Sequence, residues 1–332
     1  MFISNNNLKQ KKLGSLLIKI SNFLNKKQDY LLIKPSKQGL YFLAYEYLKE
    51  KAFIKAVDFI FVENLLVKIN DVTIKNSLIF LIQEFIKKNL INPKLTIGII
   101  PEEKVFYKLI SLEKNINPPA DLEKNILKNI SEVNTQKYSF YFEKIYKNLN
   151  YDDYSVWITE KNYLTQLNEF LNLANLNIIG FEPESKLITK AILPYLNQKE
   201  SYLIINILKE KTVFVILANH IIYFSGILNL GKIHLENSLK ETLNKFLEEI
   251  NRLLYFYTIS NYPHKPSFKI NKIVFFGDAN PDFVSLISLN TKLKIESPKF
   301  WENLKFKNEF IKQTILENKT EFLPLIGGIN KY

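Results

Sequence analysis

The chain contains no cysteine. That excludes a disulfide framework, a cysteine-ligated zinc and a thiol nucleophile, and it fits a reducing compartment. Histidine is nearly as scarce. His220, His234 and His264 stand far apart with no helical metal spacing, so they give no basis for a metal site. Among 45 basic residues, Arg252 is the single arginine. Nucleic-acid readers favour arginine forks for bases and phosphates. The formal net charge of +12 is spread as lysine along the whole chain and therefore reads as solvated surface, not as a nucleic-acid face. No Ser-His-Asp arrangement, glycine-rich dinucleotide loop, Walker-type loop or paired-carboxylate motif is present. The N-terminus lacks the apolar run and small-residue cleavage site of a secretory signal. The most membrane-like window, Thr212–Leu230, is broken by Asn219-His220 and Ser225-Gly226. A spanning helix needs about 20 mostly apolar residues, so this window reads as a buried β-hairpin in a soluble protein.

What remains is a 332-residue chain with 47% hydrophobic and 23% charged residues, enough for two domains with real cores. Residues 1–28 form a basic amphipathic segment. Leu13, Leu16, Leu17, Ile20, Phe23 and Leu24 fall at helical spacing among lysines. Such a helix either docks on its own domain or lies on an anionic membrane through about 9–27. Tyr30–Ile33, a turn at Lys34–Gly39 and Leu40–Tyr47 read as a hairpin, and Phe53–Val57 and Asp58–Ile69 as further strands of the same meander. Ser77–Lys88 has helical periodicity, with Lys87 and Lys88 in its last turn. Strands follow at Leu95–Ile100 and Val105–Leu112, a helix from Pro118 to about Asn134, and strands at Ser139–Tyr146 and Tyr154–Thr159. The helix Lys161–Ala174 and the strand Asn177–Phe181 lead to Glu182-Pro183-Glu184-Ser185, which opens a helix to Leu196.

A second meander begins at Ser201. Buried strands at Tyr202–Leu208 and Thr212–Leu217 flank a polar turn. A third apolar run ends at Gly231, and a long helix closes on Glu249–Tyr257. Ile270–Phe276 is a strand ending in Gly277-Asp278, Pro281–Leu289 a helix and Leu293–Ile295 a short strand. Two meander-plus-helix units, from about residues 30 and 201, imply an approximate duplication.

Four stretches carry a family resemblance. Leu95–Phe106 has a strand, Pro101, acidic residues and a following strand. Ser155–Leu193 has a strand, helix and strand with the Glu182-Pro183 turn into a helix. Glu249–Tyr257 is close to an "EIxRSLxFY" helix end, and Leu323–Ile329 is a small-residue terminal segment. In this order they resemble the type IV pilus assembly PilM family, actin-like proteins related to FtsA. The resemblance implies an α/β fold of duplicated actin-like (ribonuclease H-like) domains, each a mixed sheet flanked by helices. The implied division is 29–195, with a small α+β subdomain inserted at about 95–155, and 196–332. Its last part, about 310–332, would return toward the first domain.

Actin-like ATPases hold phosphate in two hairpin turns, each with Asp-x-Gly. The Asp handles metal, and the Gly lets backbone amides approach the phosphate. By resemblance, the matching first turn is Leu32–Gly39. It has no Asp, and Pro35 removes one amide donor. Lys34 and Ser36 are its candidate phosphate contacts; Lys34 and Lys37 could offset phosphate charge but read at least as well as plain surface. In the second turn, "DIGxxxT" becomes Asn206–Thr212: Thr212 is kept, Asn206 replaces the Asp and Leu208 the Gly. The adenosine "GG" is Gly277-Asp278. Glu182 matches a polar residue near the attacking water, or else caps the next helix. Only Lys232–Glu248, about one helix of 25 Å, stand where relatives enclose adenine with a helical subdomain. The expectation is a non-catalytic scaffold with no required cofactor, in which binding of ATP with Mg²⁺ is weak or absent. It would sit peripherally on the cytoplasmic face of the inner membrane, holding the tail of a PilN-like bitopic protein among other pilus assembly proteins. The alternatives are a divergent ATPase gripping phosphate through Lys34, Ser36 and Thr212, a GspL-like secretion component, or a polymerising cytoskeletal protein.

Overall fold

The computed structural model describes residues 29–48, 51–68, 71–113, 137–147, 151–260, 269–277, 281–298 and 300–329. The basic segment 1–28, the helix expected from Pro118 and the site residue Asp278 lie outside these.

Two sheets repeat one topology. The first half supplies β1 (Asp29–Ser36), β2 (Gly39–Leu48) and β3 (Lys51–Phe61) as an antiparallel meander. Then β4 (Pro93–Ile100) and β8 (Ile178–Pro183) add in parallel on the β1 side, giving the order β3-β2-β1-β4-β8. The second half supplies β9 (Ser201–Ile207), β10 (Thr212–Ala218) and β11 (Ile221–Leu228), then β12 (Lys272–Phe276) and β13 (Lys294–Glu296). Their order is β11-β10-β9-β12-β13. A parallel strand must be reached through a crossover, usually helical. In the first sheet α1 (Leu65–Lys68) and α2 (Val72–Lys88) precede β4. In the second, α5 (Lys232–Asn237) and α6 (Leu239–Ile259) precede β12, and α7 (Pro281–Thr291) precedes β13.

Between β4 and β8 a third sheet is inserted, β5 (Phe106–Glu113), β7 (Tyr151–Glu160) and β6 (Tyr138–Lys147) in spatial order, followed by α3 (Lys161–Leu173). β4 itself belongs to the first sheet, so the strands of the insertion begin at Phe106 and not near residue 95. The described part of the stretch expected as a strand from Asp58, residues 58–68, is the end of β3 and then α1, not a further strand. The C-terminal return also starts earlier than residue 310: β14 (Lys305–Phe306) already pairs with β3, ahead of α8 (Glu309–Glu317) and α9 (Lys319–Ile329).

The alternation of β9 and β10 explains the layering. Every residue of both strands is buried, so neither face meets water. Tyr202, Ile204, Val213 and Val215 join the core beneath the central helices. Leu203, Ile205, Phe214 and Ile216 point the other way, onto Phe246 and Ile250 of α6. Each such side chain contributes about 1.5–3 kcal/mol by leaving water. Helix α6 meets them with Leu243, Phe246, Ile250, Leu253 and Tyr257, a three-and-four spacing that sets all five on one stripe. The Asn219-His220 corner of the β10–β11 hairpin has φ of 49° and 63°, as a two-residue turn of matching twist requires.

Two helices form the seam between the halves. α4 (Glu184–Ile192) leaves β8 and packs against β10, and α9 lies on α4, β1 and β2. They touch closely because a Cβ on Gly327 would overlap the Leu187 carbonyl of α4. Among the described residues, no helix is long and apolar enough to cross a membrane.

Candidate functional site

The two turns that the resemblance assigns to phosphate face each other at the ends of β1 and β9. They are in direct contact. Gln38 Nε2 of the first donates to Glu210 Oε1 of the second at 3.0 Å. Within the first turn, the Ser36 hydroxyl donates to Gly39 O and accepts from the Gln38 amide, both at 3.1 Å. In the second, Leu208 and Lys209 carbonyls accept the Lys232 and Ile233 amides at 2.9 and 3.1 Å. The first amides of α5, which could have met an anion, are therefore spent inside the chain. Gly231 makes this approach sterically feasible, since a Cβ there would lie 2.5 Å from the Leu208 oxygen.

Lys34 is neither in the turn nor at the surface. It sits on β1 and is fully buried. Its Nζ is 3.0 Å from Glu184 Oε1 and 2.8 Å from Glu321 Oε2, and it donates to the Glu321 carbonyl at 3.1 Å. A buried ammonium persists only where it is paired and hydrogen-bonded on several sides. Burial alone would lower its pKa, but Glu184 and Glu321 more than offset that and hold it raised.

From Glu184 the network crosses to the second half. Glu184 Oε2 lies 3.0 Å from Lys211 Nζ, and Lys211 also bonds to Glu103. Burial works against the Glu184 charge, yet Lys211 and Lys34 hold its carboxyl at about 2. Glu102 and α4 exchange a reciprocal pair of bonds: the Glu102 amide donates to Glu184 Oε2 at 3.1 Å, and the Ser185 amide to Glu102 Oε2 at 3.0 Å. The other Glu102 oxygen meets the Ser225 hydroxyl on β11. Burial, then the nearby Glu184 charge, push the Glu102 carboxyl up to about 8.

Asn206 and Thr212, the second-half candidates, have structural duties. Pro324 inside α9 has no N–H, so the Thr320 carbonyl lacks its usual helical donor. The Asn206 side-chain amide supplies one at 3.2 Å. An Asp could not, which is a physical reason for an amide at this position. The Thr212 hydroxyl donates to the Leu230 carbonyl at 2.7 Å. Gly277 lies at the end of β12 with φ of 156°, against Ile207.

Glu182 stands apart from this network. It ends β8 and faces Lys186 at 3.4 Å and Lys190 at 3.8 Å. It does not cap α4, whose N-cap is Pro183, without a side-chain bond. Lys186 also pairs with Glu143 at 2.8 Å and lies 4.3 Å from the Tyr141 ring centre, joining α4 to the inserted sheet.

Of the predicted residues, Lys34 and Asn206 thus converge on the start of α9, at Glu321 and Thr320. The partners that complete the network, Glu102, Glu103, Glu184, Lys211, Ser225 and Glu321, were not singled out from the sequence. Glu102-Glu103 and Glu184 do follow Pro101 and Pro183 directly, at the ends of neighbouring parallel strands, which is the available signal.

No family model matches the sequence, and no curated protein matches it. Solved structures do. The fold is similar to one described as a PilM–PilN type IV pilus biogenesis complex, with TM-score 0.74 and 14% identity over 92% of this chain and 99% of that chain. A Bacteroides thetaiotaomicron protein with an actin-like ATPase fold and unknown function gives TM-score 0.48 at 10% identity, over 85% of this chain and 97% of that one. The cytoplasmic domain of EpsL, an inner membrane component of the Vibrio cholerae type II secretion system, gives 0.46 at 8%, over 92% and 97%. These two lie too far off to carry weight. The repeated sheet order and the first of these likenesses give the chain a duplicated actin-like α/β fold.

Proposed function

We propose that this protein is a non-catalytic actin-like scaffold of a pilus or related secretion assembly. It would work at the cytoplasmic face of the inner membrane and bind the cytoplasmic tail of a PilN-like partner. The likeness in fold to the PilM–PilN complex supports the choice of machine. One observation carries the loss of catalysis: the place between the two turns is filled by the chain's own charges. Lys34, Glu184 and Lys211 form a continuous buried ion-paired row from the first half to the second. The turns on either side are bonded to each other. A triphosphate with its metal would have to break these pairs and leave Glu184 facing further negative charge, at a cost of several kcal/mol.

Calorimetry with millimolar Mg-ATP should show no saturable heat, and thermal unfolding should not shift. Saturable binding near micromolar strength that weakens in Thr212→Ala would overturn the non-catalytic reading. Titration with a synthetic N-terminal tail of a PilN-like protein tests the partner separately. Absence of binding there would remove the pilus assignment while leaving the filled cleft in place.

A further inference from the structure

In the first sheet, β3 is covered on its outer side only near its start. β14 pairs with it at Phe53 and Ile54, and the Lys307 amide donates to the Ile54 carbonyl at 2.9 Å. Beyond Ile54, no strand among the described residues pairs with that side. After β3, the Val62 amide donates to the Gln38 carbonyl at 2.9 Å, and the chain turns away at Asn64 with φ of 56°. In an antiparallel ladder, successive residues point their main-chain groups alternately toward the neighbour and away from it. Val62 bonds inward, so Ile60 and Asp58 do too, and Val57, Phe59 and Phe61 turn their N–H and C=O outward. Two observations agree with this. A Cβ on Gly39 of β2 would overlap the Ile60 carbonyl, and the Phe59 amide is met from outside by the exposed Asp58 carboxylate at 2.8 Å.

The side chains of these outward residues share the face of the sheet that carries α9. Phe59 stacks on Tyr41 at 4.3 Å, Tyr41 meets Phe322 of α9, and Phe61 meets Phe59 edge to face at 6.5 Å. α8 packs on β3 as well, yet Phe61 stays 65% exposed. An apolar edge with unpaired main chain accepts a further strand. The open stretch is short, bounded by Lys307 at one end and the turn after Val62 at the other.

The same stretch of a second copy fits it. Turned about a two-fold axis through Phe59, the second β3 runs antiparallel, with Phe59 opposite Phe59 and Val57 opposite Phe61. Every outward residue then exchanges hydrogen bonds with its opposite, and Phe61 gains an apolar neighbour on its own face. Asp58 stands opposite Ile60. An axis through Asp58 instead would set two carboxylates face to face, which is destabilising. An axis through Ile60 would set Val57 opposite Glu63, beyond the strand.

We propose that this chain forms a two-fold symmetric dimer in which the first sheets join edge to edge through residues 57–61 of β3. Asp58 restrains the joining, because its carboxylate holds the Phe59 amide in the single chain and must release it to the partner strand. The dimer does not rest on the pilus reading, since no residue of the edge belongs to the network between the halves.

Sedimentation velocity of the full chain reads the association directly. The wild type should run as a monomer near about 1 μM and as a dimer near about 100 μM, the range of a small, transient interface. Phe61→Lys, at an exposed position that leaves the fold alone, should weaken the dimer by at least about tenfold, because both symmetry-related pairs are lost. Asp58→Ala frees the Phe59 amide of each copy and should tighten the dimer by roughly fivefold. The chain has no cysteine of its own, so introduced cysteines report the register. Val57→Cys mixed with Phe61→Cys should form a disulfide, since opposite hydrogen-bonded residues lie about 5.5 Å apart between Cα atoms. Val57→Cys alone should not, its two copies being about 14 Å apart along the strands. A monomer at about 100 μM, a dimer indifferent to Phe61→Lys, or a disulfide in Val57→Cys alone would each overturn the proposal.

Discussion

The two hairpins occupy equivalent places in two sheets of the same strand order, yet they depart from a phosphate-binding turn in opposite chemical ways. The first puts a cation in its core: Lys34, fully buried, bound to Glu184 and Glu321. The second puts a neutral amide there: Asn206, donating to a carbonyl that Pro324 leaves without a donor. Both side chains reach the first turn of α9. A junction between two halves can thus be closed from either side, by charge pairing or by main-chain hydrogen bonding. The shared target is the C-terminal helix.

The comparison breaks most sharply at Lys34. Lys34→Met leaves Glu184 and Glu321 buried beside an apolar chain. Removing one partner of a buried pair costs about 3–5 kcal/mol. Urea unfolding should show a loss of unfolding free energy of that size, and a Lys34→Met, Glu321→Gln double variant should recover part of it. A loss under about 1 kcal/mol would mean that the Lys34 pairs are not what closes the first hairpin.

The next effect follows from pH, and the two buried carboxyls have opposite signs. Glu184 is held at about 2 against an ordinary 4.5. Its contribution is present above 4.5 and disappears as pH falls toward 2. Glu102 is raised to about 8. Between 4.5 and 8 the folded chain keeps a proton that the unfolded chain has released, so stability declines as pH rises through that window. Thermal unfolding of the wild type should therefore worsen from pH 5 to pH 8.5. Glu102→Gln should flatten that limb and leave the acid limb in place.

Asn206→Asp restores the residue type of a metal-handling turn and should nonetheless destabilise. The Thr320 carbonyl loses its donor, and a carboxylate is buried against it, costing about 1–3 kcal/mol by the usual penalty for an unsatisfied buried group. Chemical denaturation measures it, and adding Mg²⁺ should restore nothing.

How much of this was legible in the sequence follows the range of the forces. The meanders, the α6 stripe and the duplication are written in continuous apolar runs and period-3.6 patterns that act over a few residues, and they read directly. The missing Asp of both turns, and Leu208 in place of Gly in the second, read as directly. What replaced them does not. Lys34 pairs with a residue 287 positions away, and a lone lysine near a turn looks like any solvated lysine until its burial is known. The resemblance points to Glu182 because a motif marks only a position, whereas the end of β8 sends Glu182 toward the inserted sheet and the first turn of α4 sends Glu184 between the halves. The duty of Asn206 was hidden for the same reason: Pro324 was visible, but not the strand end that lies beside it.

The smallest effect isolates the contact between the turns themselves. Gln38 and Glu210 are joined by one partly buried hydrogen bond, of the kind worth about 0.5–1.5 kcal/mol net. Gln38→Ala should lower the unfolding free energy by no more than that, since neither the Lys34 pairs nor the Asn206 bond passes through it. The informative readout is hydrogen exchange at the turn amides, with the Gln38 and Leu208 amides exchanging faster in Gln38→Ala while the amides of α4 and α9 stay protected. If α4 also loses protection, the two turns hold the halves together and the buried ion pairs merely follow. If it does not, the seam is carried by Lys34, Glu184 and Lys211, and the turns close over a junction already made.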